Sequence, residues 1–365
     1  MRSIFLIPLF CAVVVAGLFS ASVTQAQEDI PYLQTKGEVL EVVSTEYREV
    51  GGTGTQRPFQ TLRIEIIEGE KEGQIITTET DFPRITKGTT LYLGYWTDPE
   101  GGDHFDVVGI DRLVPMLILA GVFVAIIILF GGWRGVRSLL SLGASFFILL
   151  YVLVPGLLGG WNPLLASSVV AGGILFGAIF FTHGFNRESF SAYAGTMIAI
   201  LLTGALALVA VNATSLSGFA DESSLFLNFN TQGSLDFVGL LLGAIIIGAL
   251  GVLDDIAITQ AAVVNELYKS NASLKPIEVY RRALRVGREH VGALVNTLAL
   301  AYTGAALPLI LLFSVSSYRP DVILNMEMVA TEIVRILVGS IGLVLAVPVV
   351  TALAVILLRA QKKET

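Results

Sequence analysis

The chain has 365 residues, of which 54% are hydrophobic and 15% are charged, and its formal net charge is -7. The apolar residues form blocks long enough to cross a bilayer, so the composition predicts a polytopic membrane protein and excludes an ordinary soluble domain. The acidic balance gives no support to nucleic-acid binding.

Residues 1–26 have the pattern of a cleaved signal peptide: a basic residue, a short apolar core and small residues ending at Ala26. The alternative is a retained first transmembrane helix, although the core is short for a span of ~20 residues. The single cysteine, Cys11, lies in this segment. Cleavage would therefore leave a mature chain without disulfides, thiolate metal ligands or cysteine nucleophiles.

Residues 27–111 are polar and contain five alternating runs typical of β-strands, which are separated by glycine-containing turns. The runs are 38–44, 61–67, 74–80, 89–95 and 105–110. Five short strands in such a segment predict a small, OB-like β-barrel. The segment has no aromatic stacking platform and no basic stripe, which favours a scaffold or protein-docking role over nucleic-acid binding.

Residues 112–365 contain seven apolar segments, each close to the length of a transmembrane helix. They are 113–130, 139–158, 164–181, 190–211, 237–258, 291–314 and 333–358. Lys and Arg residues follow the first, third, fifth and seventh segments, whereas the other connections are poor in them. The positive-inside rule therefore predicts an N-out/C-in topology in a bacterial plasma membrane, with residues 27–111 extracytoplasmic.

Two parts of this region resemble each other and predict an internal repeat of 164–211 and 237–314. The best-matched stretches are Gly172–Ala178 and Gly243–Ala249, and the same alignment places His183-Gly184 on Asp254-Asp255. Chance matching of small residues in apolar sequence is the alternative. A repeat with parallel orientation, as in some transporters, would bring His183 close to the two aspartates.

The second copy differs from the first by an amphipathic insertion at 259–287, which we predict to be cytoplasmic. Arg281, Arg285 and Arg288 recur at helical spacing within it. The basic segment at 275–288 is typical of a contact with anionic lipids, and docking of a protein partner is the alternative.

Asp254 and Asp255 form an adjacent pair within an otherwise apolar run, which is costly enough to indicate ion, proton or substrate handling. Their side chains diverge by about 100° on a helix, so they do not form the facing pair of an aspartyl protease. Asp255 shares a helical stripe with Glu266, whereas Asp254 shares another with Asn265, and the spacing does not choose between the two.

Two interpretations of the pair stay open at this point. In the first, His183, Asp254 and Asp255 form a cation or proton site, and Thr196, Asn296 and Thr297 line a deeper path. Glu266, on the stripe of Asp255, is a further candidate for this site. In the second, both aspartates lie just past the membrane and form ion pairs with the arginines of the insertion. The nature of any metal or cofactor is not indicated by these residues.

Glu332 and Arg335 lie one helical turn apart near the start of the last apolar segment and are expected to pair with each other. An outer gate is the alternative role for this pair. The sequence contains no Ser-His-Asp arrangement, nucleotide-binding glycine loop or zinc-spaced cluster, so we expect that the protein is not an enzyme.

Several motifs together resemble the YibE/F-like family of bacterial multi-pass membrane proteins. They are Thr182-His183-Gly184-Phe185-Asn186, Ala194-Gly195-Thr196, Gly251 through Ile258, Arg288-Glu289-His290-Val291, Asn296-Thr297-Leu298, Tyr302-Thr303-Gly304-Ala305, Leu307-Pro308-Leu309, and Glu332 through Arg335 with Gly339 through Gly342. The resemblance is closest in the membrane region. It implies a plasma-membrane protein and leaves the activity to be worked out from the residues.

We expect a secondary transporter or permease that uses a carboxylate and histidine site on the cytoplasmic side for a cation or proton. The alternative is a membrane scaffold, or a signalling or assembly subunit, that does not transport. The expected partners are the lipid bilayer, anionic lipids, and a second copy of the chain or another protein at the extracytoplasmic domain.

Overall fold

The computed structural model describes residues 33–49, 54–82, 84–98, 101–271 and 273–361. The predicted signal peptide at 1–26 lies outside these residues. The chain divides into two compact units between Ile126 and Ile127. The first contains a β-sheet and the start of a helix, and the second is a helical bundle.

Five antiparallel strands form one sheet in the order β3-β2-β1-β4-β5. They are β1 (Leu33–Glu49), β2 (Gln56–Ile66), β3 (Ile75–Thr80), β4 (Thr90–Thr97) and β5 (Asp103–Ile110). Each overlaps one of the predicted runs. The first two strands are longer than predicted. They pair with each other as a hairpin that continues past the alternating apolar residues, as far as Glu49 and Gln56.

The sheet curls into a half-barrel around a core of aliphatic side chains. Val39, Leu62 and Leu91 are among its fully buried members. The outer strands β3 and β5 approach each other, since the Thr78 hydroxyl on β3 donates to the Phe105 carbonyl on β5 at 2.8 Å. The structure thus shows a half-barrel sheet, and the OB-like character of the domain stays a prediction.

The bundle contains ten helices within the described residues, with one turn of π-helix at Leu149–Leu153. The helices are α1 (Leu113–Ile148), α2 (Val154–Leu158), α3 (Pro163–His183), α4 (Arg187–Ala213), α5 (Glu222–Asn230), α6 (Phe237–Ser270), α7 (Pro276–Ala305), α8 (Leu307–Ser314), α9 (Pro320–Asn325) and α10 (Glu327–Gln361).

Helix α1 is interrupted at Gly132, whose φ of 53° and ψ of -136° are not helical. A Cβ built on Gly135 would lie 2.5 Å from the carbonyl oxygen of Ile127. In an unbroken helix these residues would be separated by roughly 12 Å along the axis. The backbone therefore turns back on itself locally, and glycine permits the turn because it has no Cβ to oppose a positive φ.

The motif from His183 to Asn186 forms the connection between α3 and α4. Gly184 follows the last helical residue with a φ of 81°, which ends α3. The Asn186 side chain then accepts a hydrogen bond from the Ser189 N–H at 2.8 Å and caps α4. This short turn fixes His183 at the end of α3.

Helices α4, α6 and α10 form the centre of the bundle, and α3 and α7 pack against them. Small residues allow the close approach, as is common between membrane helices. A Cβ at Gly195 would lie 2.7 Å from Val350 Cγ2, and one at Gly342 would lie 2.2 Å from Thr203 Oγ1. Close packing of α4 against α10 therefore requires glycine at both positions.

Among the described residues, five helical stretches are long and apolar enough to cross a membrane, and a sixth is formed if the bent pair α7 and α8 counts as one span. The predicted count of seven is not confirmed, because the first two predicted segments fall within one helical stretch at Leu113–Leu158. The pair α7 and α8 is bent by 64°. The internal repeat stays a prediction.

Candidate functional site

A cavity of about 370 Å³ lies between the second half of α1, the end of α3 and the middle of α6. Its walls are largely aliphatic and aromatic, with a few polar side chains that project from the three helices. The lining residues are Ser138, Ser141, Leu142, Ser145, Phe146, Leu149, Ile174, Leu175, Ala178, Thr182, His183, Ile247, Leu250, Gly251, Asp254 and Ile258.

Asp254 is the only carboxylate among the described residues of the cavity wall, on the face of α6 that also presents Leu250 and Gly251. Its Oδ1 atom is buried and has no hydrogen-bond partner among the described residues. Gly251 leaves open space beside it, since a Cβ there would meet nothing within 4 Å. The structure thus leaves an acceptor oxygen of Asp254 unsatisfied at the cavity.

The structure distinguishes the two aspartates, which the helical spacing left equivalent. Asp254 faces the cavity, whereas Asp255 is exposed on another side of α6 and does not line it. Within the described chain, neither aspartate forms an ion pair with Arg281, Arg285 or Arg288. The described residues thus do not show the ion pairs of the second interpretation, and Asp254 is the aspartate that lines the cavity.

Three serines form the polar side of the wall contributed by α1. Ser138, Ser141 and Ser145 recur at positions i, i+3 and i+7, which places them on one face of the helix. The Ser145 hydroxyl donates to the main-chain oxygen of Ser141 at 2.9 Å. With its proton directed at the helix backbone, this hydroxyl still has lone pairs available as an acceptor.

Thr182 and His183 complete the polar wall at the end of α3. His183 is largely exposed, and its main-chain oxygen accepts from the Asn186 side chain at 3.0 Å. His183 and Asp254 thus both line this cavity, while their direct approach stays a prediction.

The other predicted site residues lie elsewhere. Thr196 is fully buried, and its hydroxyl donates to the Ala192 carbonyl of its own helix at 2.8 Å. Asn296 and Thr297 are exposed on α7, and Glu266 is exposed on α6. None of these four residues lines the cavity.

Glu332 and Arg335 form the predicted ion pair at the start of α10, with 2.8 Å between Arg335 Nη1 and Glu332 Oε1. The Arg335 guanidinium also lies over the Tyr302 ring, 5.7 Å from its centroid. Both charged side chains are about three-quarters buried. Their mutual neutralisation explains how a charged pair is tolerated in this half of the bundle.

The sequence analysis missed the serine face and a buried amide. Ser138, Ser141 and Ser145 follow a regular spacing that was visible in the sequence, but serine is common in membrane helices and nothing singled them out. Gln260 is completely buried, where its Oε1 accepts from the Thr351 hydroxyl at 3.0 Å. Only the packing of α10 against α6 makes this pair recognisable.

The donor set of the cavity consists of oxygen atoms and one histidine. Within the part of the chain that the structure describes, no group of three or more His, Cys, Asp or Glu residues could hold a metal ion. Carboxylate and hydroxyl oxygens are the ligands that hard cations prefer. Because the wall has one carboxylate, it is suited to a single positive charge.

The apolar helices, the half-barrel domain and a carboxylate facing a cavity between helices define a multi-pass membrane protein. A family model described as YibE/F-like protein matches residues 119–360, which is most of the chain. The chain belongs to the YibE/F-like family. No similar curated protein and no similar solved structure matched it.

Proposed function

We propose that the protein is a secondary transporter or permease in which Asp254 binds a cation or proton. The observation that carries this proposal is the buried, unpartnered Oδ1 atom of Asp254 at a cavity between three helices. An ionised carboxylate away from water costs several kcal/mol unless an opposite charge compensates it. A proton or a cation from the cavity supplies that compensation, and exchange of this charge is the elementary step of coupled transport.

The wall that faces Asp254 lies between two interruptions of the helix. Gly132 breaks α1 on one side of the serines, and the π-turn at Leu149–Leu153 follows on the other, directly before Pro155. π-Turns and proline are common at bends and functional sites in helices. We propose that movement of this wall segment opens and closes the cavity.

We further propose seven membrane passes with an N-out/C-in topology in the plasma membrane, after removal of residues 1–26. The local reversal at Gly132 supports two passes within Leu113–Leu158. Together with the four other long helices and the bent pair α7 and α8, this gives seven passes. The basic residues Arg134 and Arg137 favour a cytoplasmic location for this turn. The half-barrel then lies on the outer side, where we propose that it contacts another protein or a second copy.

Exposed arginines on the first part of α7 support a contact with anionic lipids. Arg281, Arg285 and Arg288 are all exposed, whereas Arg282 pairs with Glu278 at 2.6 Å. Such a basic helical face attracts an anionic leaflet by about 1 kcal/mol per residue. The lack of a hydrolytic or nucleotide-binding motif in the sequence supports a role without catalysis.

Asp254→Asn tests the proposed transport function, with Asp255→Asn as a matched control. Purified full-length protein is reconstituted in liposomes, and fluxes of protons, sodium and rubidium are followed with a pH-sensitive dye and radioactive tracers. We expect flux in the unmodified protein and the Asp255→Asn variant, and loss of flux to the level of empty liposomes in Asp254→Asn. The neutral side chain is nearly isosteric, but it no longer compensates a positive charge.

Size-exclusion chromatography of each variant before reconstitution controls for folding. Equal fluxes from Asp254→Asn and the unmodified protein would exclude Asp254 as the carrier of the transported charge. Absence of all three fluxes from the unmodified protein would favour the scaffold or signalling alternative.

A further inference from the structure

We propose that the Asp254 cavity binds a monovalent metal cation, held by the carboxylate together with hydroxyl oxygens of the serine face. The serine face consists of Ser138, Ser141 and Ser145 on α1. This inference rests on the proposed transport function and specifies which positive charge the site takes.

The charge of the cavity wall favours a single positive charge. Asp254 is the only acid among the lining residues, and Asp255 is turned away to an exposed position. A divalent ion beside one carboxylate would leave one positive charge uncompensated in an environment formed by Phe146, Leu149 and Leu250. The cost of such a charge in an apolar site is several kcal/mol, which weighs against calcium or magnesium.

The hydrogen bonds of the wall favour a metal cation over a proton. The Ser145 hydroxyl donates its hydrogen bond to the Ser141 carbonyl. Toward any other group, its oxygen can therefore act only as an acceptor. Asp254 Oδ1 is a second acceptor, and it too has no donor among the described residues. A metal cation takes several oxygen ligands at once, whereas a proton is shared by at most two oxygens, so acceptor oxygens on two helices fit a metal cation.

The size of the cavity fits a partly hydrated ion. A volume of about 370 Å³ has room for on the order of ten water molecules. A cation therefore keeps several of its waters and needs only a few protein oxygens to enter. Ser138, Ser141, Ser145 and Thr182 offer such oxygens along the cavity wall, while the aliphatic and aromatic residues exclude bulky anionic groups.

The test is equilibrium binding of radioactive sodium to the purified full-length protein in detergent, with potassium, calcium and choline chlorides as competitors. We expect saturable sodium binding that Asp254→Asn abolishes and that Ser145→Ala weakens by about tenfold, since a contact to a charged group is lost. Ser168→Ala is the matched control. The Ser168 hydroxyl also donates to its own helix, to Leu164 at 2.7 Å, but it does not line the cavity.

The outcomes separate this inference from the transport function. Proton flux that requires Asp254 in liposomes free of sodium and potassium would overturn the monovalent-metal site and leave transport intact. Sodium binding that requires Asp254, without any flux, would support the site and overturn transport. Displacement of sodium by calcium at lower concentration than by potassium would overturn the charge reasoning, as would equal sodium affinities of the Ser145→Ala variant and the unmodified protein.

Discussion

Replacement of Gly195 by alanine probes the contact between α4 and α10, the most extensive helix contact in the described chain. The new Cβ would lie 2.7 Å from Val350 Cγ2 and 2.9 Å from Val350 Cα. A side-chain atom can rotate away, but the Cα moves only if α10 itself moves. We expect overpacking of this kind to cost about 1–3 kcal/mol.

The same substitution also favours the helical backbone by roughly 1 kcal/mol, because alanine is a better helix former than glycine. Gly173→Ala in α3 is the matched control, since Gly173 is also inside a helix and a Cβ there would meet nothing within 4 Å. Both variants share the gain in propensity. The difference between their free energies of unfolding therefore isolates the steric clash.

The assay is unfolding of the full-length protein in mixed micelles with increasing SDS, followed by circular dichroism. We expect Gly195→Ala to unfold at lower SDS than Gly173→Ala, by a difference equivalent to about 1–3 kcal/mol. Identical unfolding curves for the two variants would refute close packing at Gly195, because a Cβ would meet Val350 there and nothing within 4 Å at Gly173.

Two further outcomes follow from particular side chains. Thr351→Val should lower the free energy of unfolding by about 1–3 kcal/mol, because it leaves the buried Gln260 amide without a partner. Gln260→Leu should change the free energy of unfolding by less than about 1 kcal/mol, because Thr351 still donates to Val347. SDS titration measures both, and equal losses would contradict this asymmetry. In the β-domain, the hydrogen bond from Lys71 holds the pKa of Asp103 below its ordinary value of 3.8. A lowered folded-state pKa stabilises the fold above about pH 4, and this stabilisation is lost as the pH falls through the folded-state pKa of Asp103. Asp103→Asn removes this titration, so its acid unfolding should be less steep than that of the unmodified protein. Circular dichroism as a function of pH measures the difference.

The helical part of the fold was largely predictable, because continuous apolar segments leave few alternatives to a membrane helix. Helices α3, α4, α6 and α10 each contain their predicted segment. The first two predicted segments do not match the observed helix boundaries. The polar stretch around Arg134 was expected to be a loop, but it is helical apart from the break at Gly132. A glycine pair predicts a weak point in a helix, and it does not say whether the chain bends or ends there.

The candidate site was only partly predictable. The alignment of His183 with Asp254 brought two cavity residues together, but the periodicity of α6 left Asp254 and Asp255 equivalent. Their difference comes from the cavity that α1 and α3 line together with one side of α6. Ser141 and Asp254 are far apart in the chain, and their position on one cavity wall depends on how three helices are arranged. Local sequence patterns contain no information about that geometry.

Helix α6 continues without interruption from Phe237 to Ser270. It therefore extends about 24 Å beyond Asp254, at ~1.5 Å per residue. A stiff rod of this length acts as a lever: a tilt of about 5° at the cavity displaces the Ser270 end by roughly 2 Å, comparable to known helix shifts between functional states. A change in the tilt of α6 at the cavity would therefore move the segment that follows this helix.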